Sequence, residues 1–176
     1  MRRITLANLY VRRRPGLRAA GVLGAGGFWI PVALGRSGIF ANKREGDGGT
    51  PRGRFRLLRV WWRADRSPRP STRLPVRRIV RDDAWCENPG DRRYNRPVKL
   101  DAAASGDRLW RDDHLYDFII ELDHNTRPRI AGRGSAVFVH VARPGLRPTA
   151  GCVALSAPRL RGLLRRLGPR TWMVIA

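Results

Sequence analysis

One stretch, SAVFVHVARPGLRPTAGCVALS over residues 135–156, constrains this chain more than any other. An apolar run ends on His140, a loop containing Pro144, Gly145 and Pro148 follows, and Gly151-Cys152 reopens an apolar run. Short apolar runs bounded by Pro and Gly read as strands. Two such strands in succession bring a thiol and an imidazole together at adjacent ends. Read as extended, the alternation sets Ala136, Phe138 and His140 on one face and Val137, Val139 and Val141 on the other. Cysteine attacks carbonyl carbon as the thiolate, and a neighbouring imidazole is the usual means of generating it. Cys152 is therefore the candidate nucleophile and His140 its candidate base. His114 is the rival among the 3 histidines. Gly151 permits a tight turn that exposes N–H groups, which makes the amides of Gly151 and Cys152 the candidate oxyanion donors.

The rest of the chain reads as one mainly β domain over residues 1–176. Ile4 to Val11 and Gly21 to Leu34 are short strands with glycine-rich turns, the latter a hairpin. Phe55 to Trp62, Leu115 to Leu122 and Ser135 to Val141 are further strands. Lys43 to Gly53 is polar and Gly-rich and is expected to cross the surface. Arg63 to Tyr94 is rich in Pro and Asp and is expected to wrap the domain rather than to form core. Ser156 is a good N-cap, Pro158 sits in the first turn, and Leu160, Leu163, Leu164 and Leu167 form a stripe at helical spacing. Gly168 and Pro169 stop that helix, and Thr171 to Ala176 closes as a buried strand.

Composition bounds the function. At 176 residues with 42% hydrophobic content and 6 Trp, the chain can bury a core without metal or disulfide staples. No run reaches the roughly 18 to 20 apolar residues of a membrane span. The net charge is +22, and all but two of the 36 basic residues are Arg, Lys43 and Lys99 being the exceptions. A charge of this size calls for a polyanionic partner. The arginines are scattered and no nucleic-acid motif accompanies them, which argues against nucleic acid. No His, Cys or carboxylate spacing matches a metal site, and nothing calls for a cofactor. Both cysteines read as thiols, Cys86 as a packed or groove-lining residue. The segment Ala19 to Leu34 follows an Arg-rich stretch as a signal core would, but its glycines and Pro31 suit a hairpin, so no export signal is evident.

The stretch around Cys152 resembles the catalytic motif of the YkuD-type L,D-transpeptidases: a histidine, a variable loop, then Ser/Thr-His-Gly-Cys and an aliphatic residue. Thr149, Gly151, Cys152 and Val153 match, and His140 takes the place of the upstream histidine. Ala150 stands where a second histidine is usual, and Ala154 where Asn or Arg is usual. Gly35-Arg-Ser-Gly-Ile39 and Thr50-Pro-Arg-Gly-Arg-Phe55 resemble the upstream signature of the same family, so the motif-bearing core runs from about 21 to 176.

The resemblance implies a twisted mixed β-sandwich or partial barrel with a C-terminal helix and short helical insertions. It implies a periplasmic or envelope enzyme acting on peptidoglycan stem peptides through a Cys152 thioester, and inhibition by carbapenem β-lactams. It also implies that the second imidazole nitrogen donates to a carbonyl near Val141. Cross-links are of the 3→3 type in most of the family and of the 1→3 type in a compact divergent branch. The short loop and the two alanines lean toward the latter. Arg143 and Arg147 are candidate carboxylate clamps, since guanidinium forks bind carboxylates bidentately. Thr149, Trp85, Tyr94, Asn95 and Tyr116 are the other candidate substrate contacts. An L,D-carboxypeptidase or endopeptidase using the same pair, and a basic non-catalytic binding module, remain the alternatives.

Overall fold

Alternating apolar residues roll this chain into a barrel. In the computed structural model, which describes residues 5–100 and 106–176, β1 (Asn8–Arg13) turns Leu9 and Val11 inward. β2 (Ala20–Ala25) does the same with Leu23, and β3 (Phe28–Ala33) with Ile30 and Val32. Ile4, the expected start of the first strand, lies outside the described residues. β2 and β3 form the expected hairpin. β4 (Ile39–Phe40) and β5 (Thr50–Pro51) make a short parallel pair. The long β6 (Gly53–Trp62) is followed by β7 (Val76–Arg78), which pairs parallel with its second half. β8 (Asp83–Trp85), β9 (Pro97–Lys99) and β10 (Asp107–Arg108) form a separate small sheet. β11 (Phe118–Leu122), β12 (Phe138–Val141), β13 (Val153–Leu155) and β14 (Trp172–Ile175) complete the strands, with α1 (Ala157–Leu164) between the last two.

Among the described residues the main sheet runs β11-β12-β13-β3-β2-β1-β14-β6, and β6 then pairs back to β11. Closure of this kind removes exposed strand edges. The weakest seam is β13 to β3, which share the single register pair Ala154 and Ala33. The interior holds one apolar core. A second core lies outside the barrel wall, where Trp85, Leu109 and Tyr116 pack on Trp61, Ile119 and Phe138. β11, β12 and β13 therefore have core on both faces and are buried at every position, which is why they read as continuous apolar runs.

Four expectations are corrected. Residues 63–94 do more than wrap the domain, because Ile79, Ala84, Trp85 and Cys86 are buried in or beside the second core. Arg63 fastens that excursion: its guanidinium stacks 3.6 Å over Trp110, bonds Asp65 and donates to the Arg111 carbonyl at 2.6 Å. The 43–53 connection does not stay on the surface, since Lys43, Gly48, Gly49 and Thr50 are buried. Ser156 caps α1 through its carbonyl, which accepts from Leu160 N at 2.9 Å, while its hydroxyl makes no capping bond. The closing strand is half-buried rather than buried, with Met173 and Ile175 inside and Trp172 and Val174 partly exposed.

Candidate active site

β12 and β13 run parallel, with Val139 level with Val153 and His140 level with Ala154. Cys152, just before β13, therefore stands beside Phe138. Partners level across a sheet point to the same side, so His140 and Cys152 leave the barrel wall on its outer face. The face assignment made from alternation holds: Val137, Val139 and Val141 lie in the interior core, and Ala136, Phe138 and Cys152 in the outer one. Ala136 itself has φ of 50°, so the extended run starts later than expected.

The two upstream motifs hold the cysteine loop. Gly35 bridges to Thr149 and donates to Thr50 Oγ1 at 2.8 Å. A Cβ on Gly35 would lie 2.3 Å from the Gly48 carbonyl, so only glycine permits this approach. Thr149 N donates to Leu34 O at 2.9 Å, and Arg36 N donates to Thr149 O at 2.9 Å. Thr149 Oγ1 then donates to Cys152 O at 2.6 Å and accepts from Gly151 N at 3.1 Å. Gly151 has φ of 151°, and a Cβ there would meet Gly49 O at 2.8 Å. Of the two amides expected to face an oxyanion, that of Gly151 is thus already engaged by Thr149.

A cavity of about 710 Å³ opens over the pair and carries both signs of charge. Arg36, Arg111, Arg143, Arg147 and Lys43 line it, as do Glu45, Glu87 and Asp107. Of the sequence-derived candidates, Cys152, His140, Gly151, Thr149, Arg143, Arg147 and Tyr116 line this cavity. Trp85, Tyr94 and Asn95 do not; they are buried behind its wall. Asn95 accepts from Trp85 Nε1 at 2.9 Å and from Ala136 N at 3.2 Å, and donates to the carbonyls of His124 and Asn125. Tyr94 donates its hydroxyl to Glu45, which also accepts from Ser135 Oγ at 2.7 Å. Cys86 is buried and lines no part of the cavity. His114 is exposed, and its Nδ1 lies 2.9 Å from Asp117.

His140 Nδ1 lies 2.8 Å from the Val141 carbonyl. A carbonyl only accepts, so Nδ1 carries the proton and Nε2 presents a lone pair. Burial pushes the imidazole down to about 4, the Val141 bond opposes this, and Arg111 and Arg143 push it lower. The Tyr116 ring stands edge-on to the imidazole at 5.4 Å, and its hydroxyl donates to Asp107 at 2.5 Å. Cys152 Sγ donates to Ala136 O at 3.2 Å and accepts from Phe138 N at 3.4 Å. Burial pushes the thiol up to about 12; the Phe138 N–H opposes, while the Asp107 and Glu87 carboxylates add to the rise. At rest the pair is a neutral thiol and a neutral imidazole.

Sequence reasoning missed Lys43, Glu45, Asp107 and Arg111. Only Arg36 carried a signal, as the second residue of the GRSG motif. The others come from loops and short strands far along the chain from residue 152.

Fold and cavity together define a mainly β domain that gathers a thiol, an imidazole and opposed charges in one cleft. The sequence matches the L,D-transpeptidase (YkuD) catalytic domain over residues 22–175, and the chain belongs to that family. It is similar to the crystal structure of L,D-transpeptidase 3 from Mycobacterium tuberculosis, with 12% identity and a TM-score of 0.44. The match covers 96% of this chain and 60% of that one. No curated protein matches. Among the described residues no helix is long and apolar enough to cross a membrane.

Proposed function

We propose that this chain cross-links peptidoglycan stem peptides by acyl transfer, with Cys152 as nucleophile and His140 as general base. The observation that carries the reading is the placement of thiol and imidazole on one face, inside a cavity holding both guanidinium and carboxylate groups. A stem peptide containing diaminopimelate brings both carboxylates and an ammonium group, and such a cavity complements it. Arg143 and Arg147 are the clamps for its carboxylates.

The chemistry follows from the neutral resting pair. With the thiol near 12 and the imidazole near 4, a free thiolate–imidazolium pair is disfavoured. The proton therefore leaves sulfur as the carbon–sulfur bond forms. Sγ turns from the Ala136 carbonyl toward His140 Nε2, which takes the proton as sulfur adds to the amide carbonyl. The oxyanion is met by the Cys152 amide and, once Thr149 yields it, by that of Gly151. Collapse breaks the C–N bond, and His140 returns the proton to the departing amine. The amine of a second stem then attacks the thioester, losing its proton to His140, and the thiol leaves protonated. The short His140–Cys152 loop with Ala150 and Ala154 favours the 1→3 cross-link. The site of action is the periplasm or cell envelope, and carbapenems acylate Cys152.

The test is product mass spectrometry on purified stem peptides. Cross-linked dimer is expected with equimolar release of the leaving amine, which is the stem from its second residue onward for a 1→3 link and the terminal D-amino acid for a 3→3 link. Hydrolysed stem alone would make the protein a carboxypeptidase instead. Cys152→Ala should abolish turnover with the fold intact, and His140→Ala should slow acylation by about 10²–10⁴-fold. Activity above about a tenth of wild type in Cys152→Ala, or collapse in His114→Ala rather than His140→Ala, refutes the assignment.

A further inference from the structure

Away from the cavity, three of the four exposed aromatic side chains among the described residues gather on one patch: Tyr10 at 44%, Phe28 at 68% and Trp29 at 60% exposure. Tyr10 is level with Gly24 on the next strand, and Gly24 with Trp29 on the one after. The absence of a side chain at Gly24 lets the indole lie down. A Cβ there would meet Trp29 Cζ3 at 2.9 Å and Cη2 at 3.2 Å. One face of the indole is therefore against the sheet and the other is open to solvent. The row continues from Tyr10 through Val174 to Arg54. Beside it, Trp172 has the guanidinium groups of Arg54 and Arg56 at 4.1 and 4.8 Å from its ring centroid. A shallow depression runs between Tyr10 and the hairpin tip at Gly26 and Gly27.

This patch shares its side of the barrel wall with the catalytic pair. Trp29, Pro31 and Ala33 alternate onto one face of β3, Ala33 is level with Ala154, and Ala154 is level with His140. Trp29 is four residues along β3 from that crossing, about 13 Å at strand rise.

We propose that Tyr10, Trp29 and the Trp172–arginine stack form a binding platform for the polysaccharide strand of the substrate polymer, outside the catalytic cavity. The proposal rests on peptidoglycan being the substrate. A flat, solvent-open indole stacks on the apolar face of a sugar ring. Tyr10 and Trp29 stand two strand spacings apart, about 10 Å, so each engages a separate sugar. Arg54 and Arg56 supply donors for hydroxyls and for stem carboxylates. A membrane anchor would need its aromatic ring free to insert among lipid headgroups, and an indole laid on the sheet is not free to do so.

The experiment measures co-sedimentation with isolated sacculi and binding to soluble glycan chains stripped of stem peptides. Tyr10→Ala with Trp29→Ala should raise the half-saturation concentration for both by about tenfold, the scale of losing an aromatic anchor. Trp29→Phe should keep most of the binding. Trp29→Gln, which still covers Gly24, should lose it and serves as the control should the alanine variant melt early. Turnover of a small soluble stem peptide should not change in any of them. If wild type fails on that peptide, the cross-linking reading falls while glycan binding still reports on the platform. Unchanged glycan binding in the double variant and in Trp29→Gln overturns the proposal. So does a loss confined to anionic lipid vesicles, or to a single-stranded oligonucleotide.

Discussion

Asn95 lines no part of the cavity, yet it fixes the backbone on which the thiol rests, and its removal has a calculable effect. Its carbonyl oxygen accepts from the buried Trp85 indole N–H and from Ala136 N, and its amide donates to two carbonyls. Asn95→Ala leaves two buried donors unpaired at about 1–3 kcal/mol each, less whatever water entering the space recovers. Asn95 also has φ of 54°, a conformation Asn tolerates and Ala adopts at a cost of about 1 kcal/mol. The expected loss is about 4 kcal/mol, or about 8–16 °C in Tm for a chain of this size. Asn95→Gly loses the same side-chain hydrogen bonds but relieves the backbone, so it should lie about 1 kcal/mol above Asn95→Ala. Urea unfolding followed by tryptophan fluorescence reads both. The acylation rate, measured well below the melt, should fall too, because the Ala136 carbonyl is the resting partner of Cys152 Sγ. A loss below about 1 kcal/mol in Asn95→Ala, or a glycine variant less stable than the alanine one, would refute the reasoning.

Two further outcomes follow from charge. His140 is held near 4 against an ordinary 6.5, so between these values the unfolded chain binds a proton that the folded one does not. Stability present above pH 6.5 should therefore be lost as pH falls toward 4, by up to about 3 kcal/mol, and His140→Gln should flatten that slope. If the slope survives in His140→Gln, another group carries the acid lability. Sacculus binding should weaken steeply with salt, since exposed charges are screened beyond about 8 Å at physiological ionic strength, whereas KM for a small stem peptide should respond far less. Neutralising Arg143 and Arg147 should raise that KM, and neutralising Arg12 to Arg14 should affect only the polymer. Equal salt sensitivity for both substrates would place the working charge inside the cavity.

The sequence by itself determined the local features. Alternation around His140 assigned the faces of β12, the stripe of Leu160, Leu163, Leu164 and Leu167 placed α1, although the helix ends at Leu164, before the expected stop at Gly168, and the GRSG and TPRGRF stretches pointed to the family. Each depends on residues within a turn or a strand of one another, and over that range a side chain's direction follows from backbone period alone. Other features required the folded chain. Trp85, Tyr94 and Asn95 looked like groove residues but stand behind the wall, because a buried aromatic and a ligand-facing one read alike until the packing of distant segments is known. The same holds for the 43–50 loop, whose polar composition suggested surface, yet Lys43 is buried with its ammonium on Asp47 at 2.5 Å. The states of Cys152 and His140 were equally out of reach. They are set by burial against Trp85, Leu109, Leu115 and Tyr116 and by Asp107, Glu87, Arg111 and Arg143, groups gathered from separate parts of the chain. Periodicity acts between near neighbours, whereas desolvation and charge act between whatever the fold brings together. Cys152 and His140 were thus legible in the chain as a candidate pair, and only tertiary packing made them neutral.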